Sequence, residues 1–296
     1  MKKIKFILMA VAFAGCQKNA ELSSPALNSN SSTTISATPL AAAASVTVTT
    51  EAALRSAVSS ATGGTVITIS GTIRLTSTLQ CLNSGSSSAK INLTGGTLDC
   101  SGIASPNWGV KVNGSYWNIT NMNIQNSPDC GLVFQIGGNN YVNNVHASNN
   151  KNSGIQVYNG AYNVSVNNST STGNYDAVNQ GENADGFTCK LSGGTGNQFN
   201  GCTATTNSDD GWDLYGQQNP VKITGCTANS NGRDVNGDGN GFKLGSAGLS
   251  VAHTITNCSA SNNSPGWGFT RNGNAKGVIH FSGLTGSGNK AGLSDL

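Results

Sequence analysis

Seven short segments of this chain can be written one beneath another: ITNMNIQNS, VNNVHASNN, VNNSTSTGN, FNGCTATTN, ITGCTANSN, ITNCSASNN and FSGLTGSGN. Their first residues are Ile119, Val142, Val166, Phe199, Ile223, Ile255 and Phe281, an unbroken apolar column. Their fourth residues are Met122, Val145, Ser169, Cys202, Cys226, Cys258 and Leu284, separated by 23, 24, 33, 24, 32 and 26 residues. A base period of about two dozen with occasional insertions is the mark of a solenoid, in which each coil buries its apolar face on the next. A second pattern follows in each coil. Gly131, Gly154, Gly186, Gly211, Gly241, Gly268 and Gly292 precede Leu132, Ile155, Phe187, Trp212, Phe242, Phe269 and Leu293, and then Val133, Gln156, Thr188, Asp213, Lys243, Thr270 and Ser294. Alternation with period two puts the first of these columns inside and the second outside. Equivalent residues of neighbouring coils stack at about 4.8 Å, and parallel connections of this kind are overwhelmingly right-handed. The expected fold is an all-β, right-handed parallel β-helix.

The same register assigns several residues to structure. Cys202, Cys226 and Cys258 form an interior ladder of small hydrophobes, and Phe187, Trp212, Phe242 and Phe269 an interior aromatic stack. Asn149, Asn207, Asn229 and Asn262 are expected at turns with left-handed or bridging backbone. Upstream, Thr49 or Thr50 can cap a short helix beginning at Thr50-Glu51 whose apolar face is Leu54, Ala57 and Val58. Such a helix would cover the open end of the first coil.

Before the repeat, Lys2, Lys3 and Lys5 precede an apolar run from Ile7 to Ala14 that is too short to span a bilayer and reads as a signal peptide, residues 1–15. Phe13-Ala14-Gly15-Cys16 resembles a bacterial lipoprotein box, which would make Cys16 the lipidated N-terminus. An ordinary signal peptide or a membrane-adjacent helix is the competing reading. Residues 16–45 are Ser, Thr, Asn and Ala with almost no large apolar residue, a tether, leaving one domain over residues 46–296. The expected location is secreted, lipid-anchored to the outer membrane or cell surface, with membrane contact through that anchor alone. The net charge is +3. The three leader lysines account for all of it, so the mature chain has no basic face for nucleic acid or anionic lipid. Seven cysteines remain, an odd number for an oxidising compartment, of which Cys81 and Cys100 could pair. A monomer is expected.

The chemistry gathers where the repeat is broken. From the fourth position to the next glycine is 9 residues for Met122, Val145 and Cys202, but 17 for Ser169 and 15 for Cys226. Two long loops therefore wall the Cys202 coil, and excursions from a rigid scaffold are where binding groups sit. Asp185 and Asp210 occupy one column in adjacent coils, Asp209 adjoins Asp210, and Asp213 is the outward residue after Trp212. Like charges so close repel unless a cation neutralises them or some are protonated. Oxygen donors without His or Cys describe a hard-cation site, for which calcium fits best; the alternative is a turn whose aspartates cap amides. Lys243 is outward in the next coil, in the column of Asp213. Beside a calcium site it can act as the base that removes the C5 proton of a uronate in a β-elimination.

The segments Asn183-Ala184-Asp185-Gly186-Phe187, Ser208-Asp209-Asp210-Gly211-Trp212-Asp213 and Gly239-Asn240-Gly241-Phe242-Lys243-Leu244-Gly245 resemble the signatures of polysaccharide lyase family nine, which contains pectate and exopolygalacturonate lyases. The resemblance covers the C-terminal two thirds of the chain and the N-terminal cap. It implies calcium ligation by Asp185, Asp209, Asp210 and Asp213, Lys243 as the base, and pectate or polygalacturonate, an acidic polysaccharide, as substrate. This chain looks shorter than such proteins, with few coils after Lys243. Arg233 and Arg271 are candidates to bind substrate carboxylates. Asp234 to Gly239 imitates the start of an EF-hand loop, but Gly245 stands where its final Glu should be, so a second calcium near Asp234 and Asp238 is the weaker reading. His146, His253 and His280 share no column. Lyase action on another uronic-acid polymer, or a non-catalytic glycan-binding solenoid with structural calcium, are the competing functions; only an enzyme needs Lys243.

Overall fold

The computed structural model describes residues 44–296. The signal segment, Cys16 and nearly all of the tether lie outside the described residues. The chain winds as a right-handed parallel solenoid of about ten coils. Its strands form one sheet of sixteen and one of nine, and every pairing is parallel.

Strand β1, Ser45–Val48, opens the solenoid one residue before the expected domain start and pairs with β2, Val66–Ile69. Between them lies helix α1, Glu51–Ser60. Thr50 caps it, accepting the Ala53 N–H at 3.3 Å, and Leu54 and Val58 face the first coils and are fully buried. Glu51 and Arg55 pair at 2.6 Å. Glu51 also accepts the Thr76 N–H (2.9 Å), and Arg55 donates to the Thr78 carbonyl (3.1 Å), which pins the cap to the coil beneath.

The two apolar columns fill the interior. Phe187, Trp212, Phe242 and Phe269 stack with centroids 4.8, 4.6 and 4.9 Å apart, the spacing of the sheet itself. Leu293 does not join them. Trp267 pairs with Gly292 and Phe269 with Ser294, so the last coil is shifted by one residue from the expected register. A one-residue slip sends a side chain to the opposite face, and Leu293 is exposed. Phe281, in the same final coil, is exposed as well.

Each coil turns its first corner at the third residue of the repeat: Asn121, Asn144, Asn168, Gly201, Gly225, Asn257 and Gly283 all have φ between 45° and 62°. Only Gly and Asn visit this left-handed region routinely. The corner leaves the following N–H without a ladder partner, and the fourth-position side chain of the next coil supplies one. Ser169 Oγ accepts from Val145 N–H (3.1 Å), Cys226 Sγ from Cys202 N–H (3.3 Å) and Cys258 Sγ from Cys226 N–H (3.4 Å). The cysteine ladder is thus buried core with a hydrogen-bonding duty. Cys81 and Cys100 are free, buried thiols belonging to different sheets, Cys81 in the nine-stranded one and Cys100 following Thr97–Asp99 of the other.

The turn asparagines divide. Asn149 and Asn262 have positive φ, as expected. Asn207 does not: it belongs to a ladder of the buried Asn150, Asn174, Asn207, Asn231 and Asn263 and the half-buried Asn289, in which each Nδ2 donates to the next Oδ1 at 2.8–3.0 Å. Asn229 ends the strand Thr227–Asn229 and accepts from Asn262 Nδ2 at 3.2 Å. The ladder turns the chain from one sheet toward the other. The two insertions leave the solenoid just beyond its Asn174 and Asn231 rungs.

Candidate active site

The insertions meet over the Cys202 coil. Tyr175 Oη donates to Asp234 Oδ2 (2.6 Å), and the Asn236 N–H to the Gln180 carbonyl (3.1 Å). Asp209 holds both loops, one oxygen accepting the Asn183 N–H at 3.0 Å and the other the Asp238 N–H at 2.7 Å. Beneath them, parallel pairing fixes the outward residues: Thr188 lies beside Asp213, and Asp213 beside Lys243.

Asp185, Asp209 and Asp210 each present an oxygen within 4.8 Å of the others. Asp185 accepts the Asp210 N–H (3.2 Å) through one oxygen, and through the other the Ser153 hydroxyl (3.2 Å) and Lys190 Nζ (3.0 Å). Asp210 Oδ1 takes the Asn240 N–H (2.7 Å) and amide (3.0 Å). Its Oδ2 is buried without a hydrogen-bond donor; Lys243 Nζ lies 3.3 Å away as a charge contact. Asp213 stands apart from the three, with Oδ1 on the Tyr215 N–H (2.7 Å) and Oδ2 on Lys190 Nζ (3.0 Å). Lys243 completes its surroundings with Asp238 Oδ2 at 2.6 Å and the Tyr215 ring at 5.8 Å. Lys190, Asp209, Asp213, Tyr215, Asp238 and Lys243 line a cleft of about 510 Å³.

Crowded carboxylates shift one another. Burial, followed by the charge of Asp185, pushes Asp209 up to about 7. Burial and Asp209 push Asp210 well above the ordinary carboxyl range, and burial raises Asp185 despite Lys190. At Asp213 burial is overcome by Lys190 and Lys243, and its carboxyl is held low. Burial would lower both lysines. Asp210 and Asp213 overcome it at Lys243, as do Asp185 and Asp213 at Lys190, so both ammonium groups are held above the usual lysine value. The cluster as it stands has a surplus of negative charge and one buried carboxylate oxygen lacking a donor. An all-oxygen set of this kind fits a hard divalent cation.

Of the residues singled out from sequence, four aspartates and Lys243 converge here. The two arginines do not line the cleft: Arg233 is exposed and donates to the Thr206 carbonyl (3.1 Å), and Arg271 donates to the Asn274 carbonyl (3.0 Å) beside Ile279 and Phe281. Asp234 and Asp238 serve different partners, Tyr175 and Lys243. His253 is buried, accepts the Val221 N–H (3.2 Å), and is lowered to about 4 by burial, which keeps it neutral. Lys190 escaped the sequence reading, and Asp238 entered it only through the EF-hand-like loop and not as a neighbour of Lys243. Lys190 was accessible by extending the alternation of Phe187 and Thr188 two residues further, to the next outward position. Asp238 sits in an insertion, where no register exists to place it.

Residues 35–294 match the family model for the Pel9A-like right-handed β-helix region. The chain belongs to this family. Among the relatives of this Pel9A-like chain, pectate lyase L of Paenibacillus polymyxa is 37% identical over 58% of the chain and 42% of its own length. Pectate lyase PEL9 of Emericella nidulans is 32% identical over 73% of the chain and 63% of its own length. The crystal structure of pectate lyase Pel9A superposes with a TM-score of 0.71 at 32% identity, covering 76% of this chain and 61% of that one. The chain thus spans between about two fifths and two thirds of the length of these Pel9A-like relatives.

Proposed function

We propose that this chain is the catalytic solenoid of a calcium-dependent pectate lyase that cleaves α-1,4-galacturonan by β-elimination. The observation that carries the reading is the placement of Lys243, which lies beside three converging carboxylates and faces an open cleft. In the reaction the C5–H bond of a uronate breaks, its electron pair forms the C4=C5 double bond, and the C4–O4 bond breaks with its pair leaving on O4, which takes a proton from water as the leaving sugar departs. Lys243 Nζ takes the C5 proton. A calcium ion held by Asp185, Asp209 and Asp210, with Asp213 adjacent, would supply positive charge to steady the substrate carboxylate as charge develops. Lys243 must first be neutral, and in the bare cluster Asp210 and Asp213 hold its proton on. Neutralising those carboxylates releases that hold. Asp238, whose side chain is about half exposed, must give up its contact with Lys243 for the amine to reach the substrate. Lys190 ties Asp185 to Asp213 and fixes both for the site.

The test is direct. Polygalacturonate, alginate and rhamnogalacturonan are each incubated with the protein, with calcium or with chelator, and unsaturated product is followed by ultraviolet absorbance. Calcium-dependent absorbance from polygalacturonate supports the reading, and its absence with every uronan overturns it. We infer further that the protein is exported and anchored through a lipid on Cys16, as a monomer. The Cys16→Ser variant should leave the membrane fraction while keeping its activity; continued sedimentation with membranes would refute the anchor.

A further inference from the structure

We propose that Trp108, Lys111 and Tyr158 form a remote subsite for an anionic sugar residue, on the track of a polyuronate strand that runs along the nine-stranded sheet into the cleft. The proposal rests on the lyase reading of the cleft. Its basis is register. Lys111 pairs with Val133, Val133 with Gln156, Gln156 with Thr188, Thr188 with Asp213 and Asp213 with Lys243. Lys111 therefore occupies the outward column of Lys243, five rungs or about 24 Å away. Trp108 precedes Gly109, and the bonds from Gly109, Gly131 and Gly154 N–H to the Cys130, Ser153 and Asp185 carbonyls carry its column on to Asp185. The same two columns that hold the carboxylates and the lysine of the cleft hold an indole and an ammonium three to five coils earlier.

The three side chains are already assembled. Lys111 Nζ lies 5.0 Å from the Trp108 ring centroid, and Trp108 meets Tyr158 edge to face at 6.3 Å. Both rings are partly exposed, in contrast to the buried aromatic stack behind them. Among the described residues Lys111 makes no ion pair, whereas Lys190 and Lys243 are both committed to carboxylates. The outward residues between the two sites, Val133, Gln156 and Thr188, are buried beneath their neighbours and carry no charge to repel a polyanion passing above them. The nearby Asp129 is turned onto its own loop, accepting the Cys130 N–H at 2.8 Å. An aromatic face for sugar C–H groups beside an unpaired ammonium for the carboxylate is the chemistry of a uronate site.

The experiment compares polygalacturonate with trigalacturonate, which is too short to reach from the cleft to Lys111. Trp108→Ala should raise KM for the polymer roughly tenfold, the scale of one interfacial anchor, with the loss confined to the polymer. Lys111→Glu, which leaves the Trp108 turn intact, should act in the same direction. An unchanged polymer KM in both variants, or an equal loss on trimer and polymer, overturns the subsite. A second arm measures calorimetric binding of polygalacturonate to Lys243→Ala with and without Trp108→Ala, and affinity should fall in the double variant. Binding that depends on Trp108 without turnover by the parent protein would sink the lyase reading and keep the subsite. Turnover with Trp108-independent binding would do the reverse, and neither binding nor turnover would sink both.

Discussion

On the sixteen-stranded sheet, outward residues meet their own kind. Asn118 donates to Asn92 (2.8 Å), Thr120 to Thr94 (3.0 Å), Asn200 to Asn167 (3.0 Å) and Thr256 to Thr224 (3.3 Å). On the nine-stranded sheet the outward column instead reads Val133, Gln156, Thr188, Asp213, Lys243 and Thr270, and the turns before it carry Asp185, Asp209 and Asp210. The backbone is the same parallel ladder in both, so the ladder cannot be what demands charge. Neutral ladders largely satisfy themselves rung by rung, although the buried Oδ1 of Asn118 has no donor. The charged face goes further, because burial and mutual repulsion push Asp185, Asp209 and Asp210 up and an oxygen of Asp210 has no donor, while its two lysines are held protonated by those carboxylates. One surface is built for the fold, the other against its local stability and for chemistry.

The largest effect should come from breaking the charged face at one atom group. Lys243→Ala is expected to cut turnover on polygalacturonate by about 10²–10⁴-fold, the scale of a general base. Lys243→Arg should be nearly as poor, since guanidinium stays protonated. Because the base must lose a proton, parent activity should rise toward alkaline pH. Substantial activity in the arginine variant would mean that Lys243 binds substrate and that another group is the base.

Next in size is a break in the interior scaffold that both faces share. Asn231 Oδ1 accepts the Asn207 N–H (3.2 Å) and amide (3.0 Å), while its own amide donates to Asn263 (2.9 Å). Asn231→Ala strands at least one buried donor, and each such group costs about 1–3 kcal/mol. A loss of about 3 kcal/mol in denaturant unfolding is expected. This ladder also shows where sequence reading reached its limit. The period, the apolar columns, the capping helix and the acidic cluster were legible because they repeat or because they interrupt a repeat. The asparagine ladder repeats as well, yet composition alone cannot separate a turn asparagine that takes positive φ, such as Asn149, from one that is buried and paired, such as Asn207. The third-position Asn or Gly that makes each corner was visible in every segment and went unread. The slip at Gly292 lay beyond reach, since Gly268-Phe269 and Gly292-Leu293 show the same Gly-apolar pattern whichever register they take.

Titration separates the faces without mutation. Asp209 in the folded protein is pushed up to about 7, and Asp185 and Asp210 are raised too. A raised carboxyl means that the folded state binds protons more tightly than the unfolded chain. That contribution to stability is full below the ordinary value near 3.8 and is lost as pH rises toward 7. In chelator, the melting temperature should therefore fall between about pH 4 and pH 7, with Asp213, which is held low, opposing in part. Saturating calcium should flatten the slope and raise the whole curve, because binding to the folded state alone stabilises it. A chelated protein whose stability climbs over that interval would show that the cluster is not strained.

The smallest effect belongs to the neutral sheet. Thr256 Oγ donates to Thr224 Oγ at 3.3 Å with both side chains partly exposed. Removing it by Thr256→Ala lets water take its place on Thr224, so no polar group is stranded and little packing is lost. Surface changes of this sort stay within about 0.5 kcal/mol, and the activity on polygalacturonate should not move, since Thr256 lies on the other sheet. The variant is a control with consequences of its own. A loss above about 1.5 kcal/mol would mean that outward ladders bear the fold as the asparagine ladder does. The charged column would then have displaced structural contacts along its length, and the cleft would owe its strain to missing ladder partners rather than to the mutual repulsion of its aspartates.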